Sequence, residues 1–389
     1  MDFGFTEEQN ILRDSIQKLM QKHAPPEVLR QHDRERSFPY DIYQAWIDAG
    51  LLRLPFPETI GGEALGGLGG DAIDMCIVNF ELSRASADIA MAFGGNVFCG
   101  LNLLRNARPE QARYWLAKMM SGEKMLSIGI SEPDAGSDVG NIKTFARKQG
   151  DTYIVNGQKL WQTGAGLKNN VINCYVKTDR DAHYRNGLSL LLIDNDMPGV
   201  QCRKLDMLGR RSIGTYEVFF HDVEVPADRL VGAENNGWNC LMSGLQIERA
   251  VSAAGSCGGA QAVCDLATEY AKERIQFGQP IGSFQAIGHM IADMQTEVDA
   301  ATMLMWRAAW LVATGKDALR EITMAKLYAS EVYVKVASMG VQIMGGYGLN
   351  AEYDMQRYFR DARSATIAAG TSQTQRNLIA GLMGLKPKR

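Results

Sequence analysis

Trp238–Phe277, WNCLMSGLQIERAVSAAGSCGGAQAVCDLATEYAKERIQF, carries apolar residues at three- and four-residue spacing along its whole length. It predicts one very long helix, and the residues before it do not share its period. From about 125 to 230 the chain breaks into short β-branched and aromatic runs: KMLSIGISE, TYIVNGQKLWQT, NVINCYVKTD, GLSLLLIDND and TYEVFFHDVEVP. Turns such as KQGD and DNDMPG punctuate them, and together they predict an antiparallel β-domain of sandwich or barrel type. Before about residue 122 the helical period rules, in EEQNILRDSIQKLMQKH and AIDMCIVNFELSRASADIAMAF, with a glycine-rich loop, PETIGGEALGGLGGD, between them. After the long helix, FQAIGHMIADMQTEVDAATMLMWRAAWLVATG and LREITMAKLYASEVYVKVASMGVQIMGG predict two more helices, the last stopped by a glycine pair. The expected class is α+β, mostly α, with a helical domain at 1–123, a β-domain at 124–233 and a helical bundle at 234–389.

The chain has 389 residues and a formal net charge of -3, from 41 basic and 44 acidic side chains. That balance argues against a nucleic-acid binder, which needs a basic excess. No apolar run approaches the ~20 residues of a membrane span. The start, MDFGFTEEQNILRDS, lacks the apolar core of a signal peptide and the basic face of a transit peptide, so a soluble cytoplasmic protein is expected. Seven cysteines are scattered without a CxxC pair, and five histidines without metal-binding spacing, so neither a disulfide frame nor a metal site is expected. P-loop, GxGxxG after a strand, GxSxG and glycosidase carboxylate patterns are absent from the sequence.

Five polar or small-residue segments look least like packing. ISEPDAGSDVGNIKT, Ile130–Thr144, runs from a strand into a Gly/Ser/Asp turn, and its Ser131 and Ser137 hydroxyls suit a polar ligand edge as well as a plain connection. In QKLWQTGAG, alternation puts Trp161 and Thr163 on one strand face, which suits a flat heteroaromatic ligand or a core tryptophan. ERIQFGQPIGSFQ, Glu273–Gln285, offers cationic and amide groups at a helix junction, fit for phosphate or for an ordinary corner. In LQIERAVSAAG, Glu248 has Gly244, Leu245, Val251 and Ser252 at helical contact spacing, so its carboxylate stands on a largely apolar face. An unpaired carboxylate there has a raised pKa and can act as a base, whereas a salt-bridged one cannot; Arg249, adjacent in sequence, points elsewhere. Finally IAAGTSQTQR, Ile367–Arg376, is a small, hydroxyl-rich corner that either lets a ligand approach the backbone or caps the last helix.

Taken together, ISEPDAGSDVGNIKT, NGQKLWQTGAG, ERIQFGQPIGSFQ, QIMGGYGLN, RYFRDAR and GTSQTQR resemble the acyl-CoA dehydrogenase family in order and spacing, over nearly the whole chain. The resemblance implies an N-terminal helical domain, a middle β-domain and a C-terminal four-helix bundle, assembled as a homotetramer (a dimer of dimers). It implies FAD as cofactor, an acyl-CoA thioester as substrate and electron-transferring flavoprotein as acceptor. Carried over by motif, Ile130, Ser131, Trp161 and Thr163 would flank the flavin ring. Arg274, Phe277, Gln285, Gln342, Gly345 and Gly346 would meet the pyrophosphate and adenosine, partly from a neighbouring subunit, and Thr371 and Gln373 would also touch FAD. Ser137, grouped with the cofactor residues too, and Arg249 would lie along the CoA arm, and Gly370 would meet the substrate.

One departure matters. Many members carry the catalytic glutamate immediately before the glycine of GTSQ, where this chain has Ala369. A smaller branch, similar to isovaleryl-CoA dehydrogenase, places the base on the long helix, and LMSGLQIERA puts Glu248 there. The resemblance thus implies α,β-dehydrogenation with Glu248 as base. Enoyl-CoA reduction uses the same residues in reverse; non-oxidative elimination, found in relatives lacking both carboxylates, is disfavoured by Glu248.

Overall fold

The computed structural model describes residues 4–61 and 72–385. Most of the glycine-rich loop expected at 57–71, and the basic end KPKR, lie outside the described residues. Six helices come first: α1 (Glu7–His23), α2 (Pro26–Glu35), α3 (Tyr40–Asp48), α4 (Ala72–Ser86), α5 (Ala90–Asn106) and α6 (Pro109–Met120). Local signals set their starts. A reciprocal capping box between Thr6 and Gln9 opens α1, and proline sits in the first turn of α2 and α6, where its missing N–H costs nothing.

Eight strands follow: β1 (Met125–Gly129), β2 (Phe145–Gln149), β3 (Thr152–Thr163), β4 (Asn170–Lys177), β5 (Leu188–Asp194), β6 (Val200–Lys204), β7 (Thr215–Pro226) and β8 (Leu230–Val231). They form one sheet in the order β6-β7-β3-β2-β4-β5-β8, with β1 paired to β4. The expected antiparallel character holds for most pairs, but β1 runs parallel to β4, and β2 touches β4 in parallel at Phe145–Lys177. In β4, Val171 and Tyr175 pack towards the N-terminal helices. Ile172, Cys174 and Val176 face the opposite way, into a second core shared with Tyr153 and Val155 of β3 and Val218 and Phe220 of β7. The strand path therefore folds over on itself, which explains why β5, LSLLLID, is buried at every position.

The last third is helical: α7 (Gly237–Glu273), α8 (Gln285–Ala313), α9 (Leu319–Met344), the single turn α10 (Gly346–Leu349), α11 (Met355–Ala365) and α12 (Ser372–Leu382). Helices α7, α8 and α9 pack side by side around a core of small residues, with α11 and α12 laid on α9. Helix α7 touches neighbours on three sides through its glycines. A methyl group added at Gly244 would stand 2.6 Å from the Phe98 ring of α5, at Gly255 2.7 Å from Asn79 of α4, and at Gly259 2.6 Å from Tyr333 of α9.

Buried carboxylates lock the three regions together. Asp88, just after α4, accepts from the backbone amides of Ser212 (2.7 Å) and Ile213 (3.2 Å) in the β6–β7 connection. Asp361 of α11 accepts from the Arg210 amide of the same connection at 2.6 Å. Arg360 grips Asp33 of α2 with two hydrogen bonds, at 3.2 and 2.6 Å.

The tightest of these approaches is Gly258, where a Cβ would lie 2.1 Å from the Phe80 carbonyl oxygen of α4. Gly258→Ala must push two helices apart, and a loss of about 1–3 kcal/mol is expected, the range for overpacking a core. Urea unfolding against the parent protein measures it.

Candidate active site

Ile130 and Ser131, just past the end of β1, are pinned to β3 by three donors. Leu160 N donates to the Ser131 carbonyl at 2.8 Å, and the Gln162 side-chain amide donates to the same oxygen at 3.1 Å. Lys159, 0% exposed, sends its ammonium to the Ile130 carbonyl (3.0 Å) and to Glu132 (2.8 Å). Glu132 in turn accepts from the amides of Lys143 (2.6 Å) and Thr144 (3.0 Å), which closes the SEPDAGSD loop. Burial by itself would raise the Glu132 pKa, but the Lys159 charge and these donors outweigh it and hold the carboxyl below its ordinary range.

Between Lys159 and Gln162 the register with β7 slips: two residues of β3 oppose one of β7. This is a β-bulge, and Trp161 sits in it with φ +68° and its ring 55% exposed. Past the bulge the alternation holds: Trp161 is exposed and Thr163 half-buried, with buried Gln162 between them. The indole lies in the open, while Thr163 is ladder-paired with Thr215. Left-handed backbone at a tryptophan is costly and persists because the neighbours over-determine it. Ser137 is exposed on the loop that Glu132 closes.

On α7, Glu248 is half-buried, and desolvation pushes its carboxyl from the ordinary 4.5 up to about 7; the charges of Arg249 and Lys326 pull the other way. The surroundings are apolar and near: Glu248 raises the pKa of the buried Cys99 thiol on α5 and of the Tyr175 phenol on β4, each already raised by burial. Arg249 is also buried, and its Nε has no hydrogen-bond partner among the described residues. Burial lowers its pKa and the Glu248 charge raises it, so the two adjacent groups are electrostatically linked.

The corner between α11 and α12 bends through Ala369 (φ +54°) and Gly370 (φ +87°). Thr371 caps α12, accepting from Thr374 N at 3.1 Å. The corner's carbonyls are held from inside. Lys326 of α9, 1% exposed, donates to Ala365 O (3.1 Å) and Gly370 O (2.6 Å). The buried Gln375 amide donates to Gly370 O (3.0 Å) and Ala369 O (3.3 Å). Thr371 and Gln373 line a cavity of about 220 Å³ together with Thr366, Ile367 and Arg363.

A separate open cavity of about 690 Å³ gathers Arg274, Phe277, Gly345 and Gly346 with Tyr270, Ile281 and Tyr347. The Arg274 guanidinium lies 5.3 Å from the Tyr347 ring centre, and Phe277 is 94% exposed. Gln285, first in α8, and Gln342, on the last turn of α9, are exposed but do not line it. The residues singled out in the sequence thus fall into groups: the β1–β3 patch, Glu248 with Arg249, the 365–373 corner, and the Arg274 cavity. Lys326 links the second group to the third.

Exposed indole, glycine-lined backbone, a hydroxyl-capped helix start and an unpaired guanidinium make a donor set suited to a long, flat, polyanionic cofactor. Sequence reasoning missed Lys159, Glu132, Lys326 and Gln375. A signal existed for the lysines: Lys159 shares the inward parity of Tyr153 and Val155, and Lys326 stands on the apolar stripe of Ile322, Ala329 and Tyr333.

Comparison with known proteins identifies the family. The acyl-CoA dehydrogenase N-terminal, middle and C-terminal domain families match residues 6–123, 127–223 and 235–383. The chain is 35% identical to the caffeyl-CoA reductase-Etf complex subunit CarC of Acetobacterium woodii, over 97% of this chain and 99% of that one. It is 36% identical to the mitochondrial isovaleryl-CoA dehydrogenase of Pongo abelii, over 97% and 88%. Butyryl-CoA dehydrogenase from Megasphaera elsdenii superposes with a TM-score of 0.92 at 30% identity, covering 98% of this chain and 100% of that one.

Two outcomes follow from the geometry. Because the Glu248 carboxyl is pushed up, the folded protein binds more protons than the unfolded chain between pH 4.5 and about 7, so this group costs stability as pH rises through that window. Glu248→Gln is expected to raise the melting temperature at pH 8 and to lose that advantage by pH 5, as thermal melts at both pH values would record. Lys159→Met leaves Glu132 buried without its cation; a loss of about 3–5 kcal/mol in urea unfolding is expected, as for other broken buried pairs.

Proposed function

The chain belongs to the acyl-CoA dehydrogenase family and is an enzyme of that kind, and we propose that it oxidises an acyl-CoA thioester to the 2-enoyl-CoA with Glu248 as base. One observation carries this reading. The only carboxylate proposed for the site stands on α7 in surroundings that bring its pKa to about 7, while position 369 is alanine. A base whose pKa lies near the working pH is half ionised and still strong, which is where general-base catalysis is most effective.

The family implies a flavin, and we take it to be FAD. Ile130, Ser131, Trp161 and Thr163 would flank its ring. Arg274, Phe277, Gln285, Gln342, Gly345 and Gly346 would hold the pyrophosphate and adenosine, in part across a subunit boundary of a homotetramer. Thr371, Gln373 and Ser137 would add polar contacts. Bound there, FAD supplies the acceptor for the β-hydrogen, which leaves as hydride. Everything else falls to this chain's side chains. Ionised Glu248 takes the α-proton as the Cα–H bond breaks and holds it afterwards. Arg249 and Lys326 keep its pKa from climbing further, so a usable fraction stays ionised at neutral pH. Ser137 and Arg249 lie along the CoA arm, and Gly370 meets the thioester. Ala369 keeps a second carboxylate away from the same α-carbon, where like charge would force one of the two to stay protonated.

In this reading the chain has domains at 1–123, 124–233 and 234–389, acts in the cytoplasm and passes electrons to electron-transferring flavoprotein. No helix among the described residues is long and apolar enough to cross a membrane. The likeness to a caffeyl-CoA reductase-Etf complex subunit supports a second reading in which the same site runs towards reduction, with protonated Glu248 giving its proton to Cα.

Anaerobic mixing with straight, branched, alicyclic, aromatic and dicarboxylic acyl-CoAs tests the proposal through the visible flavin absorption. Bleaching by one class is expected, slowed about 10²–10⁴-fold in Glu248→Gln, the usual worth of a general base. Full turnover in that variant would remove Glu248 from the role. Reoxidation by an enoyl-CoA, without bleaching by any saturated thioester, would select the reductive reading.

A further inference from the structure

Lys326 is the one buried lysine on the C-terminal helices whose ammonium is spent on carbonyl oxygens among the described residues. Its Nζ spans the corner from Ala365 O (3.1 Å) to Gly370 O (2.6 Å). A buried ammonium bonded only to neutral oxygens is expensive and is kept where the charge itself has a use. Ala369 holds a left-handed φ of +54° that an L-residue adopts at a cost, so the corner needs fixing from outside its own backbone. Lys326 and Gln375 do this by sharing Gly370 O, with Gln375 completing the grip on Ala369 O.

The charge is directed as well. The charged groups that act most on Lys326 are Arg249 and Glu248 on α7, Arg210 on the β6–β7 connection and Glu331 on α9 itself. Glu331 is already engaged with Arg376 through two hydrogen bonds, at 2.6 and 2.8 Å. Glu248 is the anion left to answer Lys326, and apart from Arg249, Lys326 is the cation that acts on Glu248.

We propose that Lys326 is the positioning residue that makes a base on α7 work: one ammonium fixes the Ala369–Gly370 corner against which the thioester lies and supplies the positive charge that keeps Glu248 ionised. This rests on the reading of Glu248 as base. It assigns to α9 a task that is automatic in a chain with its base at position 369. There the base and the corner are one segment; here they lie on different helices, and Lys326 couples them. Burial lowers the Lys326 pKa to about 8, so the coupling weakens in alkaline solution, where the ammonium discharges.

Two variants separate the tasks. Lys326→Met removes charge and donor; Lys326→Gln removes the charge but keeps an amide donor towards Gly370 O. Three readouts are taken on each: the midpoint of the Glu248 carboxyl infrared band in cofactor-free protein, identified by its loss in Glu248→Gln; the pH profile of anaerobic flavin reduction; and the melting temperature. Both variants are expected to move the carboxyl midpoint and the alkaline-favoured limb of the profile to higher pH. Lys326→Met alone is expected to lose about 10²-fold in the plateau rate, the scale of a misplaced reacting group. If Lys326→Met fails to fold, the midpoint in Lys326→Gln still decides. A lower melting temperature with unchanged midpoint and plateau rate would make Lys326 merely structural and overturn the proposal. Full turnover in Glu248→Gln would instead overturn the base assignment, a separable result.

Discussion

Helix α7 is packed on three sides at distances only glycine permits, and the rest of the molecule is arranged around that constraint. Glycine inside a helix costs about 1 kcal/mol relative to alanine, and α7 carries Gly244, Gly255, Gly258 and Gly259. Together they bring three neighbours close: α5 at Phe98, α4 at Asn79 and Phe80, α9 at Tyr333. Glu248 lies one turn beyond Gly244, so the same close packing that seats α5 against α7 strips water from the carboxylate. Its raised pKa follows from helix packing rather than from any special partner.

The buried charges follow the same logic at longer range. Lys159 with Glu132 and Lys326 with the corner carbonyls tie segments within one region, while Asp88 and Asp361 reach the 210–213 amides from the helical regions on either side. Burial raises the pKa of both Asp88 and Asp361, and each feels the other's charge or that of a neighbouring carboxylate. Such groups contribute little net stability, but they hydrogen-bond in only one arrangement, so they fix the mutual placement of the helices and the sheet.

The long elements were legible in the sequence because their apolar pattern is unbroken: α7, α8, α9, β3, β4, β5 and β7 lie where period alone put them. Strands β2 (FARKQ) and β6 (VQCRK) were not, since charged residues hide a two-residue alternation that tertiary pairing stabilises anyway. The site was legible in parts. Glu248 stood out as a carboxylate on an apolar face, and the hydroxyls of the last corner stood out for their smallness. The corner caps the last helix through Thr371 and also walls a cavity, so the capping reading leaves the other open. The left-handed bulge at Trp161 was not legible, because a bulge depends on the partner strand's register. Lys159 and Lys326 were passed over because a lysine reads as solvent-facing until its position is compared with the stripe it occupies.

The left-handed backbone at Ala369 bears on how such sites change over evolutionary time. Position 369 already holds a side chain at φ +54°, so a glutamate there would need no rebuilding of the corner. The route between a base on the corner and a base on α7 is therefore two side-chain exchanges on one unchanged scaffold. Its intermediate carries either both carboxylates, electrostatically opposed over one carbon atom, or neither. The first would be a crowded but competent ancestor; the second would keep the architecture intact without a base for α-proton abstraction.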